Sequence, residues 1–216
     1  MADSRPNILF ILSDDHGVGS IGAYGDSMVP TPNIDSLAKE GAIFLNNTTS
    51  CALCGHSRAT IITGQHASRH GVISLKESFD NSRWTFSQRL CSRRVIAQPS
   101  SEMHLKSRPE GFDTMAVNGG YGGQGEYYNP FFTDSKGENT TIHGHSTEII
   151  ADLAIDQLTK GKKSEQPFFV SVHFKAPHGR WEPSPETLLL FSDCRRSVNP
   201  SFPVRRQKHL FSSISP

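Results

Sequence analysis

Two neighbouring carboxylates, Asp14 and Asp15, directly follow the apolar run 7–12. Two negative charges this close repel each other unless a positive group lies between them. A hard divalent cation such as calcium or magnesium would bind both through oxygen ligands. The alternative is a solvated turn, in which the tetrapeptide Asp-Asp-His-Gly holds no ligand. On their own, the two carboxylates leave metal binding open.

A second polar group, Lys175-Ala176-Pro177-His178, follows the apolar run 168–174. If both runs are strands of one parallel sheet, their carboxyl ends meet at the same edge, where α/β proteins bind ligands. His178 would then lie near Asp14 and Asp15. Taken alone, a histidine after Ala-Pro at a strand end is more typical of a turn.

Two other motif-like patterns favour ordinary interpretations. Cys51 and Cys54 have C-x-x-C spacing, but a zinc site would need a second ligand pair and a redox site a thioredoxin-like unit. We interpret them as two unrelated thiols. The glycine-rich stretch 118–125 has no strand and helix around it, as a phosphate-binding loop would. We predict a surface loop there.

The elements that would position these residues alternate between strand and helix. The runs 7–12 and 168–174 are predicted to be strands buried on both faces, as in a parallel sheet. Capping residues, glycine stops and an apolar stripe predict three helices: residues 31–41, 57–63 and 146–159. We therefore predict an α/β fold, a mostly parallel sheet with helices on both faces.

Bulk composition narrows the classes of partner. The chain has 216 residues and a net charge of +1, so it is long enough for one α/β domain and has no electrostatic bias toward nucleic acid or an anionic membrane. No apolar run reaches the roughly 18 residues of a membrane span. Residues 1–6 are polar and lack the features of a signal peptide. We therefore expect a cytoplasmic protein, in which the sequons at Asn46, Asn47 and Asn139 carry no glycan.

One segment carries a family signature. Cys54-Gly55-His56-Ser57-Arg58, followed by Thr63-Gly64, resembles the type I sulfatase pattern C-x-P-S-R and then T-G. Other family blocks occur in the family's order: Asp14-Asp15, Tyr24-Gly25, 31–35, 104–113, Asn129-Pro130 and 167–183. Over most of residues 5–190 the chain is similar to the N-terminal part of these formylglycine-dependent enzymes of the alkaline phosphatase superfamily.

The resemblance implies an alkaline-phosphatase-like fold and hydrolysis of a sulfate monoester. Cys54 would be converted to formylglycine by a formylglycine-generating enzyme, and the hydrated aldehyde would supply the nucleophile. Asp14, Asp15 and the converted Cys54 would hold a calcium or magnesium ion. Arg58 would hold the formylglycine or a sulfate oxygen. The sulfate would also be oriented by His104 and His178, which would act as acid and base because imidazole exchanges protons near neutral pH.

The sequence departs from the family pattern in three ways. His56 replaces the proline that the maturation enzyme reads. Glu102 replaces a lysine that would bind the sulfate, and its charge would repel that anion. The 216 residues also do not include the family's later Asp-Asn metal pair or its second substrate lysine. We therefore expect residues 1–193 to form an incomplete, truncated catalytic domain and 194–216 an unstructured tail.

Two segments, 89–102 and 194–216, match neither the family nor a regular periodicity. Compensating frameshifts would account for the first, and a further frameshift for the second; an ordinary divergent loop and tail is the alternative. Three functional interpretations follow. They are a sulfatase acting on a small-molecule or carbohydrate sulfate ester, a phosphonate or phosphate ester hydrolase of the same superfamily, and a catalytically dead sulfatase fragment.

Overall fold

The structure is a computed structural model of the chain. It describes residues 5–25, 29–91, 99–100, 104–164 and 166–190. The chain divides into two units, Met1–Glu182 and Pro183–Pro216. The first unit contains the sheet and the candidate site, and the described part of the second is a short segment that includes one helix.

Within the described residues, six strands form one sheet in the order β1-β6-β2-β3-β4-β5. Their bounds are Ile8–Ser13 (β1), Pro99–Ser100 (β2), Ala116–Asn118 (β3), Phe131–Asp134 (β4), Asn139–Thr141 (β5) and Phe169–Phe174 (β6). Strands β1, β6, β2 and β3 pair in parallel, and β4 and β5 are antiparallel to their neighbours. The prediction of a mostly parallel α/β sheet is confirmed.

Strands β1 and β6 determine where the candidate site lies. They run side by side in parallel, with Ile8 opposite Phe169 and Ser13 opposite Phe174. Because both end at the same edge of the sheet, the segments that follow Ser13 and Phe174 leave it next to each other. The two predicted strands are therefore present, each beginning one residue later than expected.

The prediction that β1 is buried on both faces is wrong. Ile8, Leu9 and Ile11 are 41%, 47% and 54% exposed, whereas β6 is buried except at its last residue. Strand β1 lies at the edge of the sheet, and the helices of the described part pack mainly on other elements. An apolar run indicates burial, but it does not show whether the described residues supply the covering layer.

The helices are α1 (Pro32–Glu40), α2 (Cys54–Thr63), α3 (Ala67–His70), α4 (Phe86–Cys91), α5 (Ser146–Lys163) and, in the second unit, α6 (Pro185–Leu190). Helix α1 has the predicted proline at its start and ends before Gly41. Helix α2 ends as predicted at Gly64, in the left-handed conformation with φ 65°, but it begins at Cys54 rather than at residue 57. None of the described helices combines the length and apolar composition that crossing a bilayer demands.

Helix α5 continues past its predicted end at residue 159 to Lys163. The glycine inside this last turn, Gly161, lies against an aromatic ring, where a larger residue would not fit. A Cβ at Gly161 would lie 2.7 Å from Cδ1 of Phe168. Lysines in the last turn also stabilise the helix, since its C-terminal end carries a partial negative charge.

Two apolar clusters hold the helices on the sheet. The first packs α2 against β3 and the loop segments that carry Val72, Phe79 and Leu105, and the second packs α5 on β4 and β6. The buried members are Ala59, Ile62, Val72, Phe79, Leu105, Met115 and Val117 in the first cluster, and Phe132, Ile150, Ala154, Val170 and Val172 in the second. Full burial of one such aliphatic side chain contributes about 1.5–3 kcal/mol, so both helices are firmly placed.

Candidate active site

Helix α2 begins at Cys54, so this side chain lies where the first backbone N–H groups of the helix have no intrahelical partner. The positive end of the helix dipole therefore faces residue 54 and favours negative charge there. Next to it, Gly55 allows a close approach of two chain segments. A Cβ at Gly55 would lie 2.9 Å from the carbonyl oxygen of His104. The small residue thus brings the His104 segment against the first turn of α2.

The carboxyl end of β1 meets this helix terminus. Cys54 Sγ lies 3.5 Å from Oδ1 of Asp14, whose side chain is buried. One donor atom from each of Asp14, Cys54 and His178 lies within 4.8 Å of the others. No disulfide joins Cys54 to Cys51, in keeping with two separate thiols. The sheet edge therefore brings together three side chains that are far apart in the sequence.

Arg58 lies one turn further along α2 and is buried. Its Nη2 is 3.2 Å from Oδ2 of Asp14, and its Nη1 donates to Nδ1 of His173 over 2.8 Å. The resemblance predicts that Arg58 contacts formylglycine or the sulfate. In the structure its two terminal amino groups face Asp14 and His173, which fixes the guanidinium at the sheet edge.

His173, next to the last residue of β6, is a site residue that the sequence reasoning missed. Burial, followed by the charge of Arg58, lowers the pKa of His173 to about 3, so the ring is neutral. Nδ1 accepts from Arg58, and Nε2 then carries the proton and faces Ser171 Oγ at 2.9 Å. The sequence did contain a signal for this residue. Ser171 and His173 share one face of an otherwise apolar strand, and buried polar side chains need hydrogen-bond partners.

His104 is brought to the same place. It has a left-handed backbone, with φ 46°. Burial lowers its pKa first, and the nearby charge of Arg58 lowers it further, while Asp14 opposes the shift. Within the described residues, Nδ1 of His104 has no hydrogen-bond partner. The predicted site residue therefore presents a neutral imidazole to the cluster.

His178 and Asp15 contact each other across the sheet edge. The Nδ1 atom of His178 is hydrogen-bonded to the carbonyl oxygen of Gly179, and Nε2 lies 3.6 Å from Oδ2 of Asp15. Asp15 is exposed and has φ 56°. The resemblance grouped Asp15 with Asp14 and Cys54 as metal ligands. The structure also brings His178 to Asp14 and Cys54, with Asp15 beside it.

His56 occupies the signature position where the family has proline. Its side chain is 2% exposed, and within the described residues neither ring nitrogen has a hydrogen-bond partner. An unsatisfied buried polar group costs about 1–3 kcal/mol. Proline is tolerated in the first turn of a helix, because backbone N–H groups there have no intrahelical acceptor. The fold therefore accommodates either residue, and the buried imidazole is the costlier occupant.

The glycine-rich stretch forms a loop, and this loop walls a cavity of about 290 Å³ together with residues 179–182. The loop packs tightly on itself, since a Cβ at Gly123 would lie 2.2 Å from the carbonyl oxygen of Gly119. Lys175 is buried behind it. Its Nζ donates to the carbonyl oxygen of Gln124 over 3.1 Å and lies 5.2 Å from the centroid of the Tyr127 ring. The hydroxyl of Tyr127 donates to the carbonyl oxygen of His178 over 2.7 Å.

Several predictions concern residues that the structure does not describe. Glu102 and the tail 194–216 lie outside the described residues. Of the segment 89–102, residues 89–91 end α4 and residues 99–100 form β2. The proposed frameshifts and the charge reversal at Glu102 therefore stay predictions.

Comparisons with known proteins match the chain over the region that contains this site. Residues 6–189 match the family model described as Sulfatase. The N-acetylglucosamine-6-O-sulfatase of Bacteroides thetaiotaomicron is 36% identical over 189 residues, covering 88% of this chain and 34% of the relative. Human arylsulfatase D is 46% identical over 68 residues, covering 32% of this chain and 12% of the relative.

Solved structures give the same picture. A protein solved in complex with its substrate D-glucosamine-2-N,6-O-disulfate is 36% identical, with a TM-score of 0.83, and the match covers 88% of this chain and 38% of that one. A Bacteroides fragilis protein at 20% identity and a TM-score of 0.77 shares the fold, over 96% of this chain and 53% of that one. The chain spans about a third of the length of the first of these relatives.

Proposed function

Because the chain belongs to the sulfatase family, we propose that it supplies the nucleophile-bearing part of a site that hydrolyses a sulfate monoester to an alcohol and sulfate. One observation carries the proposal: the signature residue Cys54 lies at the N-terminus of α2, with its sulfur 3.5 Å from the carboxylate of Asp14. The relatives are about three times as long as the matched region, so the activity is proposed for a complete protein.

The attacking group would come from Cys54. Formylglycine made at this position would supply the hydroxyl of a hydrated aldehyde, and a formylglycine-generating enzyme would be the partner that makes it. The first turn of α2 supports this role, because free backbone N–H groups and the positive helix end attract an anionic substrate. A sulfate ester facing residue 54 would therefore meet favourable charge before any reaction begins.

A divalent cation, calcium or magnesium, would be held by Asp14 and Asp15 with an oxygen of the converted residue 54. The residues fit a cation, since Asp14 is buried beside Cys54 and a third donor, His178, lies within 4.8 Å of both. Calcium takes about six to eight oxygen ligands, and the two carboxylates supply part of such a set. When bound, the ion would add positive charge opposite the sulfate.

The remaining residues would position the substrate and move protons. Arg58 holds Asp14 in place and adds a positive charge at the sheet edge. The lowered pKa of His104 keeps its ring neutral near pH 7, so the ring is available as a proton acceptor during the reaction. In His178, the contact between Nδ1 and the Gly179 carbonyl oxygen leaves Nε2 facing the site. The two histidines would exchange protons with the attacking hydroxyl and the leaving alcohol.

A carbohydrate sulfate is the substrate class that we favour. The cavity beside residues 179–182 has a volume of about 290 Å³, and it borders the segment that carries His178. The protein solved with D-glucosamine-2-N,6-O-disulfate is similar over 88% of this chain. Sugar hydroxyls would find backbone polar groups along the glycine-rich wall of this cavity, where small residues leave the main chain accessible.

A chimera tests the proposal. Residues 6–189 of this chain would replace the matching region of the Bacteroides thetaiotaomicron N-acetylglucosamine-6-O-sulfatase, co-expressed with a formylglycine-generating enzyme. We expect aryl sulfate hydrolysis that depends on divalent metal and exceeds that of the Cys54→Ala chimera. Aryl phosphate is assayed in parallel, because a rate confined to phosphate would select the phosphate ester alternative.

His56 and Glu102 need their own control in this assay. A second chimera carries His56→Pro and Glu102→Lys, which restore the family residues at both positions. Equal, background hydrolysis by this chimera and its Cys54→Ala version would refute the proposal. Activity only after the two reversions would show that the site is sound and that these substitutions silence it.

A further inference from the structure

We propose that, while Cys54 remains a thiol, the chain binds a thiophilic divalent cation of the zinc type through Asp14, Cys54 and His178. This site shares Asp14 and position 54 with the oxygen-ligated one, but it uses the Cys54 sulfur and His178 in place of a formylglycine oxygen and Asp15, and it takes a different ion. The proposal does not depend on sulfate ester hydrolysis. It starts from the donor set that the structure brings together, which is one carboxylate, one thiol and one imidazole.

The spacing of the three donors fits one small ion. All three donor atoms lie within 4.8 Å of one another, and Cys54 Sγ is 3.5 Å from Asp14 Oδ1. Zinc binds sulfur at about 2.3 Å and nitrogen or oxygen at about 2.0–2.2 Å in tetrahedral geometry. Donors at a tetrahedral zinc are therefore separated by about 3.3–3.6 Å, which matches the 3.5 Å between Sγ and Oδ1. The other two separations, both within 4.8 Å, would shorten when an ion binds.

Two of the three ligands are already oriented by a second contact. Arg58 Nη2 contacts Oδ2 of Asp14 at 3.2 Å, so Oδ1 is the oxygen that faces the sulfur. Nδ1 of His178 donates its hydrogen to the carbonyl oxygen of Gly179. Nε2 therefore carries the lone pair that can bind a metal. Zinc-binding histidines commonly donate their other N–H to a carbonyl oxygen in this way.

The local charge favours a thiolate bound to a dication. Cys54 is the first residue of a ten-residue helix, and the positive helix end stabilises a negative sulfur. Asp14 and Asp15 add two negative charges, while Arg58 and Lys175 add two positive ones, and the buried His173 is neutral. With Cys54 as a thiolate, the net charge of these side chains is −1. A bound divalent ion changes it to +1.

Sulfur and nitrogen donors select the ion. Calcium and magnesium prefer oxygen ligands, whereas thiolate and imidazole suit zinc. The state of residue 54 therefore determines which kind of metal the site binds, because formylglycine would replace the sulfur by oxygen. His56 stands at the position of the proline that maturation reads in the resemblance, which favours the thiol state.

The test uses the full chain, kept reduced, with the Cys54 thiol verified by peptide mass spectrometry. Titration with cobalt(II) reports sulfur ligation through a thiolate-to-metal charge-transfer band, and zinc should displace the cobalt. We expect the band in the parent chain and in Cys51→Ser, the matched control. In Cys54→Ser, which removes only the sulfur, we expect no band and a zinc affinity lower by at least about tenfold.

A second measurement needs no variant. Zinc should protect Cys54 from alkylation, read peptide by peptide, while calcium should not, and Cys51 should react equally with and without metal. The proposal is overturned by a parent chain without the band, by a band that survives Cys54→Ser, or by alkylation of Cys54 that zinc leaves unchanged.

Discussion

The guanidinium of Arg58 lies 3.2 Å from the carboxylate of Asp14, and both side chains are buried. This ion pair joins the end of β1 to the first turns of α2, so it ties the sheet edge to the helix that carries Cys54. The second terminal amino group of Arg58 contacts His173 of β6. One side chain therefore fixes three elements that meet at the candidate site.

Arg58→Met should strongly destabilise the chain. It removes the Arg58 charge from the buried carboxylate of Asp14, and breaking a buried ion pair in this way costs about 3–5 kcal/mol. Lys160→Met is the control, because Lys160 pairs with Asp156 at the surface and exposed pairs contribute about 0–1 kcal/mol. Urea denaturation of both variants measures the difference. Equal losses of unfolding free energy would contradict a stabilising role for the buried pair.

His173 should make the fold sensitive to acid. Its pKa falls from 6.5 to about 3 in the folded chain, so the unfolded chain binds the extra proton between these values. Its contribution is fully present above about pH 6.5 and is lost as the pH falls, by about 1.4 kcal/mol per pH unit.

The variant His173→Asn isolates this effect, because an amide oxygen can still accept from Arg58 but does not titrate. Unfolding free energies at pH 7, 6, 5 and 4 should show a shallower acid loss in the variant than in the parent. Parallel curves for the two chains would show that His173 does not titrate as described.

Gly55→Ala should displace or destabilise the His104 segment. The added methyl group would lie 2.9 Å from a backbone oxygen, and overpacking of this kind costs about 1–3 kcal/mol. Gly19→Ala is matched in chemistry, and its Cβ meets nothing within 4 Å. Thermal melts should show a lower midpoint for Gly55→Ala alone, and an unchanged midpoint would mean that the two segments separate without cost.

His56→Pro should raise conversion of Cys54 to formylglycine when the chain is co-expressed with a formylglycine-generating enzyme. The reason is twofold: the proline restores the family signature, and the first turn of α2 accepts it without losing a hydrogen bond. Peptide mass spectrometry measures the aldehyde fraction. His56→Ala removes the imidazole without adding a proline, so an equal gain in that variant would assign the effect to the loss of histidine.

Much of this architecture could be predicted from local patterns. Thr31-Pro32 and Gly41 marked α1, Gly64 marked the end of α2, and the runs before Asp14 and Lys175 marked the two strands that meet at the site. These signals are local, because helix caps, terminating glycines and the spacing of apolar residues act within a few residues. The gathering of Asp14 and His178 also followed from a general rule about parallel strands.

What could not be predicted depended on contacts between distant residues. Helix α5 is predicted to end at residue 159, but it continues to Lys163 and includes Gly161, which lies against the ring of Phe168. The burial of His173 depends on its pairing with Arg58, 115 residues earlier. Likewise, the exposure of β1 depends on which elements cover it, which its own apolar residues do not specify.

The hydrogen bond from Tyr127 to the carbonyl oxygen of His178 joins the glycine-rich wall of the cavity to the segment that faces Asp14. Lys175 lies over the same ring and holds the loop through Gln124. A ligand that enters the cavity would therefore meet a wall whose conformational freedom has already been lost during folding. Binding would then require little further loss of chain entropy, and more of the contact energy would appear as affinity.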